Sequence, residues 1–174
     1  GRARFGITLL PCALRLVVED QRGRVTFVPF FENLMFHEVA HGRGIKNTID
    51  GTRTVRAALK EKAGALEEGK ADILGLYMIR QLNAQGELGR ESVEDNYVTF
   101  LSSLFRSVRF GAGDAHGRAN LVAVNFLQRA GPFSREASGQ SRVDAVQVRA
   151  PDAQRALPLP RCQGTGDRAA LYPL

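Results

Sequence analysis

Phe30-Phe31-Glu32-Asn33-Leu34-Met35-Phe36-His37-Glu38-Val39-Ala40-His41-Gly42 is the stretch on which the reading of this 174-residue chain turns. Pro29, just before it, suits the first turn of a helix. Phe31, Leu34, Met35 and Val39 then follow at spacings of three and four, and Gly42 and Gly44 end the helix. His37 and His41 are four residues apart. Four residues turn a helix by about 400°, so both imidazoles leave one face, one turn apart. That spacing suits two zinc–nitrogen bonds of roughly 2.0–2.1 Å. Glu38 stands where a carboxylate can reach a zinc-bound water, whose pKa the metal lowers towards ~7, and take its proton. The chain has three histidines, His37, His41 and His116. Two of them at ligand spacing around a glutamate weigh against a helix with two ordinary histidines.

A catalytic zinc needs a third protein ligand and an open position. After a polar loop over 45–53, the pattern predicts a long helix from Thr54 to Leu82, with Ala58, Leu59, Ala63, Leu66, Ile73, Leu76 and Ile79 as its apolar positions. Gly64, Gly69 and Gly75 weaken it and point to close helix approach. Midway lies Glu67-Glu68-Gly69-Lys70-Ala71-Asp72. Adjacent acids in an otherwise apolar helix are costly to bury unless something cationic neutralises them. Glu68 and Asp72 share a face, so Glu68 is assigned as the third ligand. Asp72 is assigned as the carboxylate that accepts a hydrogen bond from the far nitrogen of a bound histidine. Glu67, about 100° round the helix, can hold the other histidine. The competing reading is a solvated acidic patch paired with Lys60 or Lys70.

Asn83 to Gly89 reads as a turn, Ser92 to Phe110 as a further helix, and Gly111-Ala112-Gly113 as a break. Asp114 is placed to cap one more helix, to about Ala130. His116 at its start could stabilise an oxyanion, and Arg118 could bind a substrate carboxylate or carbonyl. Upstream, Leu14 to Val18 and Val25 to Val28 read as short strands and Asp20 to Arg24 as a turn. From about Ala150 the prolines at 151, 158, 160 and 173 leave no sustained period. The expected fold class is therefore mainly α. A mixed N-terminal segment (1–28) leads into a helical zinc-binding catalytic domain (29–149), followed by an irregular or disordered tail (150–174).

The hydrophobic fraction of 44% and charged fraction of 24% are those of a globular protein and argue against disorder throughout. A net charge of +6 and a pI near 9.9 raise the question of nucleic acid. The basic residues are scattered, without a run of four or aromatic interleaving, so no nucleic-acid partner is expected. Cys12 and Cys162 are too far apart for a disulfide framework or a zinc knuckle and weakly favour a reducing compartment. No apolar run approaches the ~20 residues that cross a bilayer, so no membrane span is expected. Arg2 to Val18 imitates a signal peptide, but Pro11 and Arg15 interrupt it. A cytoplasmic location is the expectation. The chain opens on Gly1 and not on methionine, which reads as a fragment.

In combination these motifs resemble the dipeptidyl-peptidase III family of zinc metallopeptidases, in its bacterial branch and in related segments fused to nudix-type domains. The resemblance is carried by Phe30 through Gly42, by Ala65-Leu66-Glu67-Glu68-Gly69-Lys70-Ala71-Asp72-Ile73, and by Ser107-Val108-Arg109-Phe110-Gly111 with Ala115-His116-Gly117-Arg118-Ala119-Asn120. It covers roughly residues 15–145. It implies one zinc per chain on His37, His41 and Glu68, with Glu38 as general base, Glu67 behind a ligand, and His116 as a transition-state stabiliser. It also implies a two-lobed enzyme that releases dipeptides from the amino end of a peptide substrate. The chain departs from the pattern in four ways. It has one residue fewer between the two histidines than the better-known members. Asn120 stands where the family carries an arginine, a departure that puts that contact in question; Arg118 and Asn120 are the candidate substrate-binding residues. The substrate lobe is missing, and the tail does not resemble the expected closing helices. The alternative is therefore an inactive zinc-binding fragment whose natural partner is the missing lobe.

Overall fold

The computed structural model describes residues 14–89, 92–108, 111–144 and 146–147. The expected tail (150–174), both cysteines, Arg109 and Phe110 lie outside the described residues. The architecture is mainly α, as the sequence implies. A short helix α1 (Glu19–Arg22) precedes α2 (Phe27–His41) and α3 (Val55–Leu59). A 3-10 turn at Lys60–Lys62 leads into α4 (Ala63–Ala84), followed by α5 (Val93–Val108) and α6 (Ala115–Arg129). A two-stranded antiparallel hairpin follows, β1 (Phe133–Arg135) and β2 (Ser141–Val143), with Phe133 opposite Val143.

Several boundaries differ from the pattern reading. Val25 to Val28 is not a strand, because α2 already begins at Phe27 and takes Pro29 into its first turn. The Asp20–Arg24 turn is the end of α1 and its exit. Leu14 to Val18 contributes a turn and a single parallel bridge from Val17 to Ser141. The predicted helix from Thr54 is interrupted. The Thr54 hydroxyl caps α3 by accepting from the Ala57 amide, but Lys60 adopts φ 51°. A residue in the left-handed region cannot continue a right-handed helix, so the chain restarts at Ala63. The hairpin has no counterpart in the pattern reading. Gln21 holds it to the N-terminal segment, its side-chain amide donating to the Val143 carbonyl (2.9 Å) while its oxygen accepts from the Val143 amide (3.0 Å).

The main core lies where α5, α4, α6 and the hairpin meet. Tyr97, Val98, Leu101 and Leu104 of α5 pack there with Leu76, Leu127, Phe133, Val143 and Val17. Helix α2 lies against α4. Phe31, Leu34, Met35 and Val39, whose spacing marks the helix, are 37–50% exposed, whereas Pro29, Glu32 and Ala40 are buried. The two backbones approach too closely for large side chains between them. A Cβ on Gly75 would stand 3.0 Å from the His37 backbone nitrogen and 3.1 Å from the Phe36 carbonyl carbon. Gly75 therefore sets the spacing between the two helices that carry the histidines and the acids. Gly75→Val is expected to lower stability by about 1–3 kcal/mol through overpacking, measured by chemical denaturation. Polar groups at the far edge of α2 are matched: the Asn96 amide donates to buried Glu32 Oε2 (2.8 Å), and Asn33 donates to the Asn96 carbonyl (2.9 Å).

Candidate metal centre

The helical spacing of His37 and His41 brings their Nε2 atoms to 3.1 Å of each other, with the rings edge to face. Helix α4 delivers Glu68 between them. Its Oε2 lies 3.2 Å from His37 Nε2 and 3.5 Å from His41 Nε2. These are the three residues among those described whose ligand atoms converge as a metal would require. The fit can be tested on the edges of this triangle. Tetrahedral zinc with bonds of roughly 2.0–2.1 Å separates its ligand atoms by about 3.3 Å. The three edges found, 3.1, 3.2 and 3.5 Å, match that value. Glu68 Oε2 is moreover buried and makes no hydrogen bond among the described residues. The nitrogens of His37, His41 and His116 lie 3.0–3.5 Å from it. A buried oxygen without a donor is costly unless a cation completes it. The donor set of two imidazoles and a carboxylate therefore fits a zinc ion.

The outer nitrogens of both histidines are also engaged. His37 Nδ1 lies 2.8 Å from Asp72 Oδ1, and His41 Nδ1 lies 3.2 Å from Glu67 Oε1. The hydrogen bond to Asp72 raises the pKa of His37, helped by the nearby charges of Asp72, Glu68 and Glu38 and opposed by partial burial. Glu67 is itself held by Lys70, whose Nζ donates to Glu67 Oε1 (2.6 Å) and to the Arg43 carbonyl (2.7 Å). The pairing of Lys70 with an acid, read from sequence as the competitor of a metal site, thus coexists with the convergent triangle. Lys70 also bridges α4 to the loop after α2, a tie that sequence spacing does not reveal.

His116 enters from the start of α6. The Asp114 side chain accepts from the Gly117 amide (2.6 Å), the cap expected from sequence. A Cβ on Gly117 would overlap the Gly111 carbonyl oxygen, so the glycine turn can fold over this first helical turn only because Gly117 has no side chain. His116 Nδ1 then stands 3.0 Å from Glu68 Oε2, with its side chain 62% exposed. Arg118 points elsewhere: its guanidinium donates to the carbonyls of Ala112 (3.1 Å) and Gly113 (3.2 Å) and so braces the turn.

A cavity of about 290 Å³ opens beside the triangle. Its lining includes His37, Glu38, Asp72, His116 and Asn120. It also includes the apolar Phe30, Leu34, Leu76, Phe100 and Leu104, with Asn33 and Ser103. Sequence reading did not single out this apolar lining, although the spacing of Phe30, Leu34 and Glu38 in steps of four contained part of it.

No protein-family model matches the chain. It is 37% identical over 171 residues to Nudix hydrolase 3 of Arabidopsis thaliana, a match that takes in 97% of this chain and 22% of that protein. Solved structures share its fold. Dipeptidyl-peptidase III from Caldithrix abyssi superposes with a TM-score of 0.87 and 34% identity, over 97% of this chain and 33% of that one. Dipeptidyl-peptidase III from Corallococcus sp. strain EGB gives 0.86 and 37%, over 93% and 30%. The resemblance to the dipeptidyl-peptidase III family is borne out, and the match to a nudix-named protein agrees with the expected link to such chains. The chain spans about a third of the length of these structures and about a fifth of the curated relative. Among the described residues, no helix is long and apolar enough to cross a membrane.

Proposed function

We propose that this chain forms the zinc-binding helical part of a dipeptidyl-peptidase III-type peptidase, with His37, His41 and Glu68 as the metal ligands. The observation that carries this reading is the His37–His41–Glu68 triangle, whose edges fit tetrahedral zinc and whose buried carboxylate oxygen makes no hydrogen bond among the described residues. Zinc at such a site supplies Lewis acidity, polarising a peptide carbonyl and acidifying water. The remaining chemistry falls to the chain's own groups. Glu38, on the cavity wall next to His37, takes a proton from the attacking water and passes it to the leaving amine. His116, at the same cavity and largely exposed, donates a hydrogen bond to the oxygen on which negative charge develops. Asp72 and Glu67 accept from the outer nitrogens of His37 and His41, so that each imidazole presents Nε2 to the metal. Asn120, on the cavity wall, is the candidate contact to the peptide backbone, and Arg118 serves the turn that positions His116.

Asp72→Asn tests the supporting shell. The amide keeps the shape but holds His37 more weakly, so zinc affinity is expected to fall roughly 10- to 100-fold in a competition titration with a chelator. An unchanged affinity would remove Asp72 from this role.

One observation favours a second reading, a zinc-binding unit without turnover. His116 is 62% exposed and His41 29%. A site this open excludes little water from the reacting bond. Hydrolysis of dipeptidyl-arylamides by the zinc-loaded chain decides between them. Release of dipeptide, abolished by chelation and restored by zinc, is expected of the peptidase; full zinc occupancy without release would establish the inactive unit. A cytoplasmic location and the absence of a nucleic-acid partner belong to the same proposal, the latter tested by DNA and RNA retardation at low salt.

A further inference from the structure

Cations that stand apart in the sequence meet in a second cavity, next to His41 at the end of α2. It has a volume of about 260 Å³ and shares no lining residue with the cavity beside Glu38. Arg43 and Lys46 of the loop after α2, Arg56 of α3 and Lys70 of α4 line it, against the carboxylate of Glu67. That carboxylate is already committed: its Oε1 accepts from Lys70 Nζ at 2.6 Å and lies 3.2 Å from His41 Nδ1. The side chains of Arg43, Lys46 and Arg56, by contrast, meet no acid or other acceptor among the described residues. Lys70 also has a donor left over. Its ammonium carries three N–H groups, of which Glu67 Oε1 and the Arg43 carbonyl accept two. The Lys70 side chain is only 10% exposed, and a buried donor left unpaired is costly, which favours an acceptor at this place. The amides of Gly44, Ile45 and Lys46, on the same wall, donate to nothing among the described residues. Gly44 adopts φ 100°, and a Cβ there would stand 3.6 Å from Lys70 Nζ, so the glycine keeps that approach to the ammonium clear.

We propose that this cavity binds a phosphate group, as the free dianion or on a small ester. Three exposed cations and one buried ammonium carry more positive charge than Glu67 offsets, which suits a doubly charged anion. Guanidinium forks and lysine point charges are the donors that phosphate oxygens take. The volume sets the size of the ligand. Drug-sized ligands fill about 300–1,000 Å³, and a benzene ring fits in about 150 Å³. At about 260 Å³ the cavity admits phosphate with a short carrier and excludes a large ligand. The site adjoins the metal centre through Lys70, Glu67 and His41 without supplying a metal ligand from its cations, so the proposal stands apart from the peptidase reading.

The test is a titration of the zinc-loaded, ¹⁵N-labelled chain with inorganic phosphate, glycerol phosphate and succinate, followed by NMR. Both phosphates are expected to shift the Gly44, Ile45 and Lys46 amides and the Arg56 side chain saturably, and the tighter of the two identifies the source of the group. Succinate, a dianion without the tetrahedral head, should bind more weakly than either. The double variant Arg43→Gln, Arg56→Gln removes two charged donors at exposed positions. It is expected to weaken phosphate binding by about tenfold or more, while the amide of the buried Leu127 keeps its shift. Shifts confined to Glu38 and His116 would put the phosphate on the metal and overturn the proposal. A linear response without saturation, equal affinity for succinate, or an unchanged affinity in the double variant would overturn it as well. Zinc content measured on the same samples keeps the two readings apart: phosphate bound here by a chain that holds no zinc counts against the metallopeptidase reading alone.

Discussion

His37→Ala and Glu68→Ala are each expected to weaken zinc binding by about a hundredfold, so that both variants lose the metal in dialysis against a chelator buffered to leave the parent chain with close to one equivalent. The size of the effect follows from the ligand count. Binding free energies of roughly 10–16 kcal/mol at well-formed protein zinc sites are shared among four ligands, about 3 kcal/mol each. Losing one of three protein ligands then weakens binding by about two orders of magnitude. The two variants differ in what they leave behind. His37→Ala also strands Asp72, whose Oδ1 lies 2.8 Å from His37 Nδ1. Glu68→Ala removes the oxygen that stands 3.0 Å from His116 Nδ1 and near both other histidines, leaving three imidazoles without their shared carboxylate. Metal analysis of the dialysed proteins is the measurement. Parent-level zinc in either variant would mean that the metal sits elsewhere.

Glu38→Gln is expected to leave zinc content unchanged and to reduce peptide turnover by about 10²–10⁴-fold, the usual worth of a positioned general base. The amide is nearly isosteric with the carboxylate, and Glu38 lies outside the triangle of converging ligand atoms, so the site keeps its shape. What is lost is the ability to accept a proton next to His37. The paired readout matters. Loss of both zinc and turnover would make Glu38 a ligand, and parent turnover with full zinc would require another base.

Much of the site was legible in the sequence because it is built from local spacings on rigid helices. His37 and His41 at four residues must share a face, and so must Glu68 and Asp72. The structure adds how α2 and α4 are set against each other, which depends on the absence of a side chain at Gly75. The spacing of Phe31, Leu34, Met35 and Val39 marks α2 as a helix but does not say which face is buried; that face carries Pro29, Glu32 and Ala40, with Glu32 accepting from the Asn96 amide of α5. The break at Lys60 and the hairpin after α6 escaped pattern reading for a different reason. The hairpin is tied to residues distant in sequence, Gln21 with Val143 and Asp20 with Arg142, and the break is a single positive φ at Lys60 that no spacing announces. Arg118 shows a limit of spacing arguments: two residues after His116 it seemed placed for substrate, but its guanidinium is satisfied by the carbonyls of Ala112 and Gly113.

The central claim is that one zinc is held by two imidazoles and one carboxylate of this chain. Zinc-edge X-ray absorption on the zinc-loaded protein tests it most directly. The expected spectrum shows four nitrogen or oxygen neighbours at roughly 2.0–2.1 Å, two of them imidazoles, and no sulfur. A zinc–sulfur shell near ~2.3 Å, which would draw in Cys12 or Cys162, or a spectrum without imidazole, would contradict it.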